Sequence, residues 1–185
     1  HCISSAASDV YKRQLQAIAT AKRLGAVVEA TDLRPTAKDQ VESLGGKWLD
    51  VPMSEEEQQK AADAAKNGYG WMPGEQYIKD QAIIVDKAVS NADIVITTAL
   101  LPGRDAPRLI RAETVAKMKP GSVILDMAVE TGGNVEGSQC GETVVTENGV
   151  KILGIPNIPS TLSTEASALY ARNVLNFVET LFDSE

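Results

Sequence analysis

Residues 15–32 read LQAIATAKRLGAVVEATD, and the order of elements in this stretch decides the fold class. Leu15, Ile18, Ala19 and Leu24 recur at helical spacing, and Gly25 suits the left-handed position that ends a helix. Ala26-Val27-Val28-Glu29-Ala30-Thr31 then reads as a short, mostly apolar strand that stops at Asp32. A helix feeding a strand within so few residues is one step of an alternating α/β chain.

Outward from that step the alternation continues. Pro35 suits a helix start that Gly45-Gly46 stops, and Lys47 to Val51 is a second short strand. Ser54 followed by Glu55, Glu56 and Glu57 reads as a capped helix start. The stretch NGYGWMPGEQY, residues 67–77, is too long for a tight turn and reads as a mobile functional loop. A helix through Gln81, Ile84, Val85 and Ala88 leads to a strand over Asp93–Thr98. The loop LLPGRDAP (100–107), a short helix near Ala112–Met118 and a strand over Ser122–Ala128 follow. Glu142–Thr146 and Val150–Ile155 flank Glu147-Asn148-Gly149, a hairpin signal. A last helix, Thr164–Leu181, carries Leu169, Val174, Leu175 and Val178. The alternation predicts one domain, a Rossmann-like, doubly wound, mostly parallel sheet.

Composition sets the bounds. The chain of 185 residues is 43% hydrophobic and 23% charged, as a globular protein is. A net charge of −7 speaks against nucleic acid and against anionic membrane as partners. No apolar run approaches a membrane span, so no direct membrane insertion is expected of this segment. Cys2 and Cys140 lack metal-ligand spacing, and the single histidine is His1, so no metal site and no histidine base is expected.

In a dinucleotide-binding sheet, a carboxylate at the end of the second strand accepts hydrogen bonds from the adenosine ribose and repels a 2′-phosphate. Asp32 holds that place and favours NAD over NADP; Arg34 nearby pulls the other way, and a strand-end Asp that merely opens a turn is the plain alternative. Such a unit also needs a strand and a glycine-rich turn before its first helix. Residues 8–14 are SDVYKRQ and contain no glycine.

Five stretches together resemble one family: LQAIATAKRLGAVVEATDLRP (15–35), QVESLGGKWLDV (40–51), ADIVITTALLPGRDAP (92–107), MKPGSVILDMAVETGGN (118–134) and GIPNIPSTLSTEASALYARNVLNF (154–177). They look like the NAD(H)-binding component, the alpha subunit, of proton-translocating NAD(P) transhydrogenases, with alanine dehydrogenases similar more loosely. The family places a GxGxxG-type turn just before residue 15. DVYKRQ also looks like the translation of a transposon-derived sequencing adapter. Residues 1–14 are therefore read as a non-native scar, and 15–185 as a partial NAD-binding domain with a C-terminal helix. The expectation is a sheet truncated at its N-terminus, lacking its first strand and its GxGxxG turn, and hence a poorly folding, inactive fragment.

The resemblance implies NAD(H) as cofactor, with NADP(H) on a partner domain, and hydride passing between them coupled to proton translocation. Direct hydride transfer needs two nicotinamides face to face and no protein acid or base, so no catalytic residue is assigned. Asp32 and Leu33 would hold the adenosine end, and Thr97, Thr98, Ala99 and Leu100 would line the middle of the cofactor. Gly68 and Tyr69 would belong to a loop that closes over nucleotide, while Glu130 and Asn157 would approach the nicotinamide. Simple β-propensity for the threonines and loop polarity for Glu130 and Asn157 are the plainer alternatives. Implied partners are the transhydrogenase NADP-binding and membrane domains, with a homodimer when intact, at the cytoplasmic face of the inner membrane. The rival functions are an alanine dehydrogenase-like oxidoreductase and a non-catalytic NAD(H)-binding module.

Overall fold

The computed structural model describes residues 2–7, 11–34, 36–66, 73–101 and 103–182. The chain divides into two units, His1–Ile155 and Pro156–Glu185. The first is built on a seven-stranded sheet. Its strands are β1 (Cys2–Ala7), β2 (Val28–Asp32), β3 (Lys47–Trp48), β4 (Ile94–Ala99), β5 (Val123–Asp126), β6 (Thr143–Val145) and β7 (Lys151–Leu153). Their spatial order is β3-β2-β1-β4-β5-β7-β6, and every neighbouring pair is parallel except β6 with β7. That is the doubly wound order, closed at one edge by a hairpin.

Helix α1 (Tyr11–Arg23) precedes β2, and Gly25 leaves it at φ 83, the left-handed stop. Helix α2 (Ala37–Ser43) follows β2. Helices α3 (Glu55–Lys66) and α4 (Glu75–Ser90) lie between β3 and β4, and α5 (Ala112–Ala116) between β4 and β5. The Ser54 start is a reciprocal cap: the Glu57 amide donates to Ser54 Oγ at 3.3 Å, and the Ser54 amide donates to Glu57 Oε2 at 3.2 Å.

One expectation is overturned. The sheet does not lack its central strand: Cys2–Ala7 lies between β2 and β4, with Ala6 opposite both Asp32 and Thr98, and Ala7 opposite Ala99. Strand ladders are made by main-chain N–H and C=O groups, which residues of any kind supply. A central gap would instead leave several buried backbone groups unpaired, each costing about 1–3 kcal/mol. The orphaned ladder on which the expected instability rested is therefore paired. The glycine-rich turn is absent from the sequence itself, since no glycine precedes Gly25.

The core has two parts. Val85, Val89, Val95, Ile110, Val115, Ile124, Val135 and Ile152 pack around the β4–β5–β7 side. Ile18, Val28, Ala30 and Val41 pack around α1, β2 and α2. The hairpin turn is fixed from outside, because Asn148 Nδ2 donates to the carbonyls of Val115, Ala116 and Met118 at the end of α5.

The second unit is a 3-10 turn (Ile158–Leu162) running into helix α6 (Ser163–Glu179). Tyr170, Val174, Leu175, Phe177, Val178 and Leu181 are all exposed. Among the described residues no helix is long and apolar enough to cross a membrane.

Candidate nucleotide site at the carboxyl edge of the sheet

Parallel strands put all their carboxyl ends on one edge, where ligands of such sheets bind. Asp32 ends β2, Ala99 ends β4 and Asp126 ends β5. With Ala6 opposite both, Asp32 and Thr98 stand two strand spacings apart, about 10 Å.

Asp32 is 3% exposed, and its carboxylate is nearly saturated. Oδ1 accepts from the Arg34 amide at 2.9 Å and from Arg34 Nε at 3.2 Å; Oδ2 accepts from Arg34 Nη2 at 2.9 Å. Burial pushes the carboxyl above its ordinary range, while the Arg34 hydrogen bonds and charge pull it back. Beside it lies a cavity of about 110 Å³, lined by Asp32, Leu33, Trp48, Leu49, Met53 and Tyr77 among others. Thr31, on the same wall, has a buried hydroxyl with no hydrogen-bond partner among the described residues. Lys38 also lines it and is held by Asp50 at 3.1 Å.

Tyr77 comes to this cavity from the first turn of α4 and is 3% exposed. Burial, then the charges of Asp32 and Glu57, push its phenol up to about 12 from 10.0. A group whose pKa is raised on folding adds stability below the unfolded value and loses it as pH climbs through the folded one. The protein is thus expected to lose stability between pH 10 and 12 by ionising Tyr77. A Tyr77→Phe variant followed by thermal melts should show a shallower fall over that window; an unchanged slope would contradict the assignment.

The β4 end is organised from β5. Asp126 is fully buried. Its Oδ1 accepts from Thr97 Oγ1 (3.3 Å), the Ala128 amide (3.0 Å) and the Asn134 amide (3.2 Å), and its Oδ2 from the Val135 amide (3.2 Å). Asn134, also fully buried, spans to β4: its Oδ1 accepts from the Ala99 amide at 3.0 Å and its Nδ2 donates to the Ala99 carbonyl at 2.9 Å. The side-chain amide behaves as one more peptide unit, extending the ladder where β5 has ended at Asp126. The same Nδ2 donates to the Pro107 carbonyl, tying down the loop after β4.

The anticipated residues are thus distributed as follows. Asp32 and Leu33 share the cavity at β2. Thr97 and Thr98 are buried at β4, with the Thr97 hydroxyl turned to Asp126, and Ala99 and half-buried Leu100 close that strand. Glu130 is exposed in a 3-10 turn, Val129–Thr131, two residues after the Asp126-bound Ala128. Asn157 is exposed at φ 45, the left-handed region, and belongs to the second unit. Gly68 and Tyr69 lie outside the described residues. Sequence reasoning missed Asp126 and Asn134. The available signal was a strand-end acid followed by a glycine pair and an asparagine, D-x₆-G-N in MKPGSVILDMAVETGGN, a pattern suited to side-chain-to-backbone bonding.

The fold and this edge define a doubly wound α/β domain of the nucleotide-binding type. The profile described as alanine dehydrogenase/PNT, C-terminal domain, matches residues 14–185, and the chain belongs to that family. It is 54% identical over 171 residues to an NAD(P) transhydrogenase alpha subunit of Rhodospirillum rubrum, covering 92% of this chain and 43% of the relative. The crystal structure of a transhydrogenase from Sinorhizobium meliloti superposes with a TM-score of 0.76 at 44% identity, over 97% of this chain and 45% of that one. An L-alanine dehydrogenase superposes with a TM-score of 0.70 at 26% identity, over 96% and 42%. The chain therefore stands nearer the transhydrogenases than the alanine dehydrogenases, and it spans under half the length of these relatives.

Proposed function

We propose that this chain is the NAD(H)-binding portion of an NAD(P) transhydrogenase alpha subunit, in which hydride passes between NAD(H) held here and NADP(H) held by a partner domain. The single observation that carries the reading is the buried Asp32 carboxylate at the end of β2, opening on a cavity in a chain 54% identical to a transhydrogenase subunit. Asp32, Leu33 and the Thr31 hydroxyl, unpartnered among the described residues, fit the adenosine end. Leu100 and the Ala99 main chain fit the middle of the cofactor. Glu130, Asn157, Gly68 and Tyr69 are assigned to the nicotinamide end and its covering loop by resemblance.

The diphosphate is where the fit fails. SDVYKRQ, residues 8–14, offers no glycine to bring bare backbone against it. The match to the family covers residues 14–185; we read residues 15–185 as the family domain and residues 1–14 as foreign sequence on the likeness of DVYKRQ to an adapter translation. We assign this portion to the cytoplasmic face of the inner membrane as part of a membrane complex, with the transhydrogenase NADP-binding and membrane domains as partners and a homodimer when intact. The exposed apolar face of α6, with Leu169, Tyr170, Val174, Phe177 and Val178, supports a protein surface covering that face.

The test is a chimera. Residues 15–182 replace the corresponding segment of the Rhodospirillum rubrum subunit in an assembled transhydrogenase. Hydride transfer between NADH and NADP+ should persist, and pyruvate with ammonia should not oxidise NADH. Turnover with pyruvate and ammonia, or loss of transfer in a chimera that assembles, would sink the reading.

A further inference from the structure

Asn134 uses every polar atom it has, and all but one of them on the chain between β4 and α5. Its amide donates to Asp126 Oδ1 at 3.2 Å, which anchors it to the end of β5. Its carbonyl accepts from the amides of Leu109 and Ile110 at 2.8 and 3.0 Å. Its carboxamide takes both main-chain groups of Ala99 and gives its second hydrogen to the Pro107 carbonyl at 2.8 Å. One buried side chain thus clamps both ends of the segment that leaves β4 at Ala99 and returns at Pro107.

The place of that segment gives the clamp its use. The strand order reverses between β1 and β4, and ligands of such sheets lie in the crevice at the reversal. Ala7, last of β1, stands opposite Ala99, last of β4, so the chain leaving β4 borders that crevice. We infer that Asn134 is a positioning residue for the dinucleotide, its carboxamide setting where the chain after Ala99 passes the middle of the cofactor, with no contact to the nucleotide itself; this rests on the NAD(H)-binding reading proposed above. The far end of the segment is docked without the carboxamide. The Ala106 amide donates to the Thr131 carbonyl at 2.7 Å, Arg108 Nη1 to the Val135 carbonyl at 2.6 Å, and the Glu136 amide to the Ile110 carbonyl at 2.9 Å. Loss of the carboxamide therefore leaves residues 106–110 in place and frees the stretch next to β4, where a shift of about 1 Å is enough to spoil the fit of a bound cofactor.

The experiment titrates the isotope-labelled full chain separately with NADH and with adenosine 5′-monophosphate, following amide shifts. Asn134→Asp keeps the shape of the side chain but turns an oxygen, in place of the two donated hydrogens, toward the carbonyls of Ala99 and Pro107. In that variant NADH should bind about tenfold more weakly, the scale of one misplaced polar contact, while the affinity for adenosine 5′-monophosphate stays unchanged. Asn134→Ala should behave alike. A general loosening of the fold would weaken both nucleotides equally, and that result overturns the inference, as does an unchanged affinity for NADH in a folded variant. Should neither variant fold, the unaltered chain decides. NADH is then expected to shift Ala99, Leu100, Leu101 and the Asn134 side-chain amide, and adenosine 5′-monophosphate to leave them still; NADH shifts that spare these groups overturn the inference. An unaltered chain that binds neither nucleotide sinks the NAD(H) reading and this inference with it, whereas binding of both with no loss in the variants sinks this inference alone.

Discussion

Asp126→Ala is expected to abolish the native fold at room temperature. The substitution removes the acceptor of three buried main-chain amides, those of Ala128, Asn134 and Val135, and of the Thr97 hydroxyl. Each buried donor left unsatisfied costs about 1–3 kcal/mol, and a domain of this kind has about 5–15 kcal/mol in total. The wall packs closely on the carboxylate, since a Cβ on Gly133, which sits at φ 80, would lie 2.6 Å from Asp126 Oδ2. Asp126→Asn keeps one acceptor oxygen and should be destabilised by a smaller amount, about 2–3 kcal/mol. Urea titrations of the two variants check this. An alanine variant that unfolds cooperatively at a near-native midpoint would contradict the network.

The second large effect concerns the diphosphate. Replacing residues 8–14 by a glycine-rich turn of the family's GxGxxG type, with β1 left as it is, should strengthen NADH binding about a hundredfold or more. The size follows from two or three charge-assisted bonds to phosphate oxygens at about 1.5–3 kcal/mol each, offset by the ordering of the new turn, with 1.4 kcal/mol for each factor of ten. Because Cys2–Ala7 already pairs with β2 and β4, the graft adds anion contacts rather than a missing strand. Its effect on the melting temperature without NADH should be small. Calorimetric titration of both chains with NADH separates the outcomes: equal affinities would mean the turn contributes nothing here.

Much of the fold is written in local pattern. The capped start at Ser54, the Gly25 stop, the Glu147-Asn148-Gly149 hairpin and the alternation of elements are all found. Each depends on residues within a few positions of one another, which is where sequence carries its clearest signal. Asp32 was legible for the same reason, as was its neighbour Arg34. The central strand was not, because the ladder that places Cys2–Ala7 is made by main chain and leaves no mark in the side chains. Asn134 was not, because it acts on Ala99, 35 residues earlier, and only once the sheet has brought the two together. Thr97 likewise donates its hydroxyl to Asp126, 29 residues later, a contact that local pattern does not show.

The central claim is that the adenosine half of a nucleotide is read at the end of β2. Backbone amide shifts of the isotope-labelled chain, followed as adenosine 5′-monophosphate is added, test it most directly. The account predicts saturable shifts gathered at Thr31–Arg34, Trp48–Asp50 and Tyr77, and their loss in Asp32→Ala. Saturable shifts gathered elsewhere on the sheet, or shifts at β2 that persist without the Asp32 carboxylate, would contradict it.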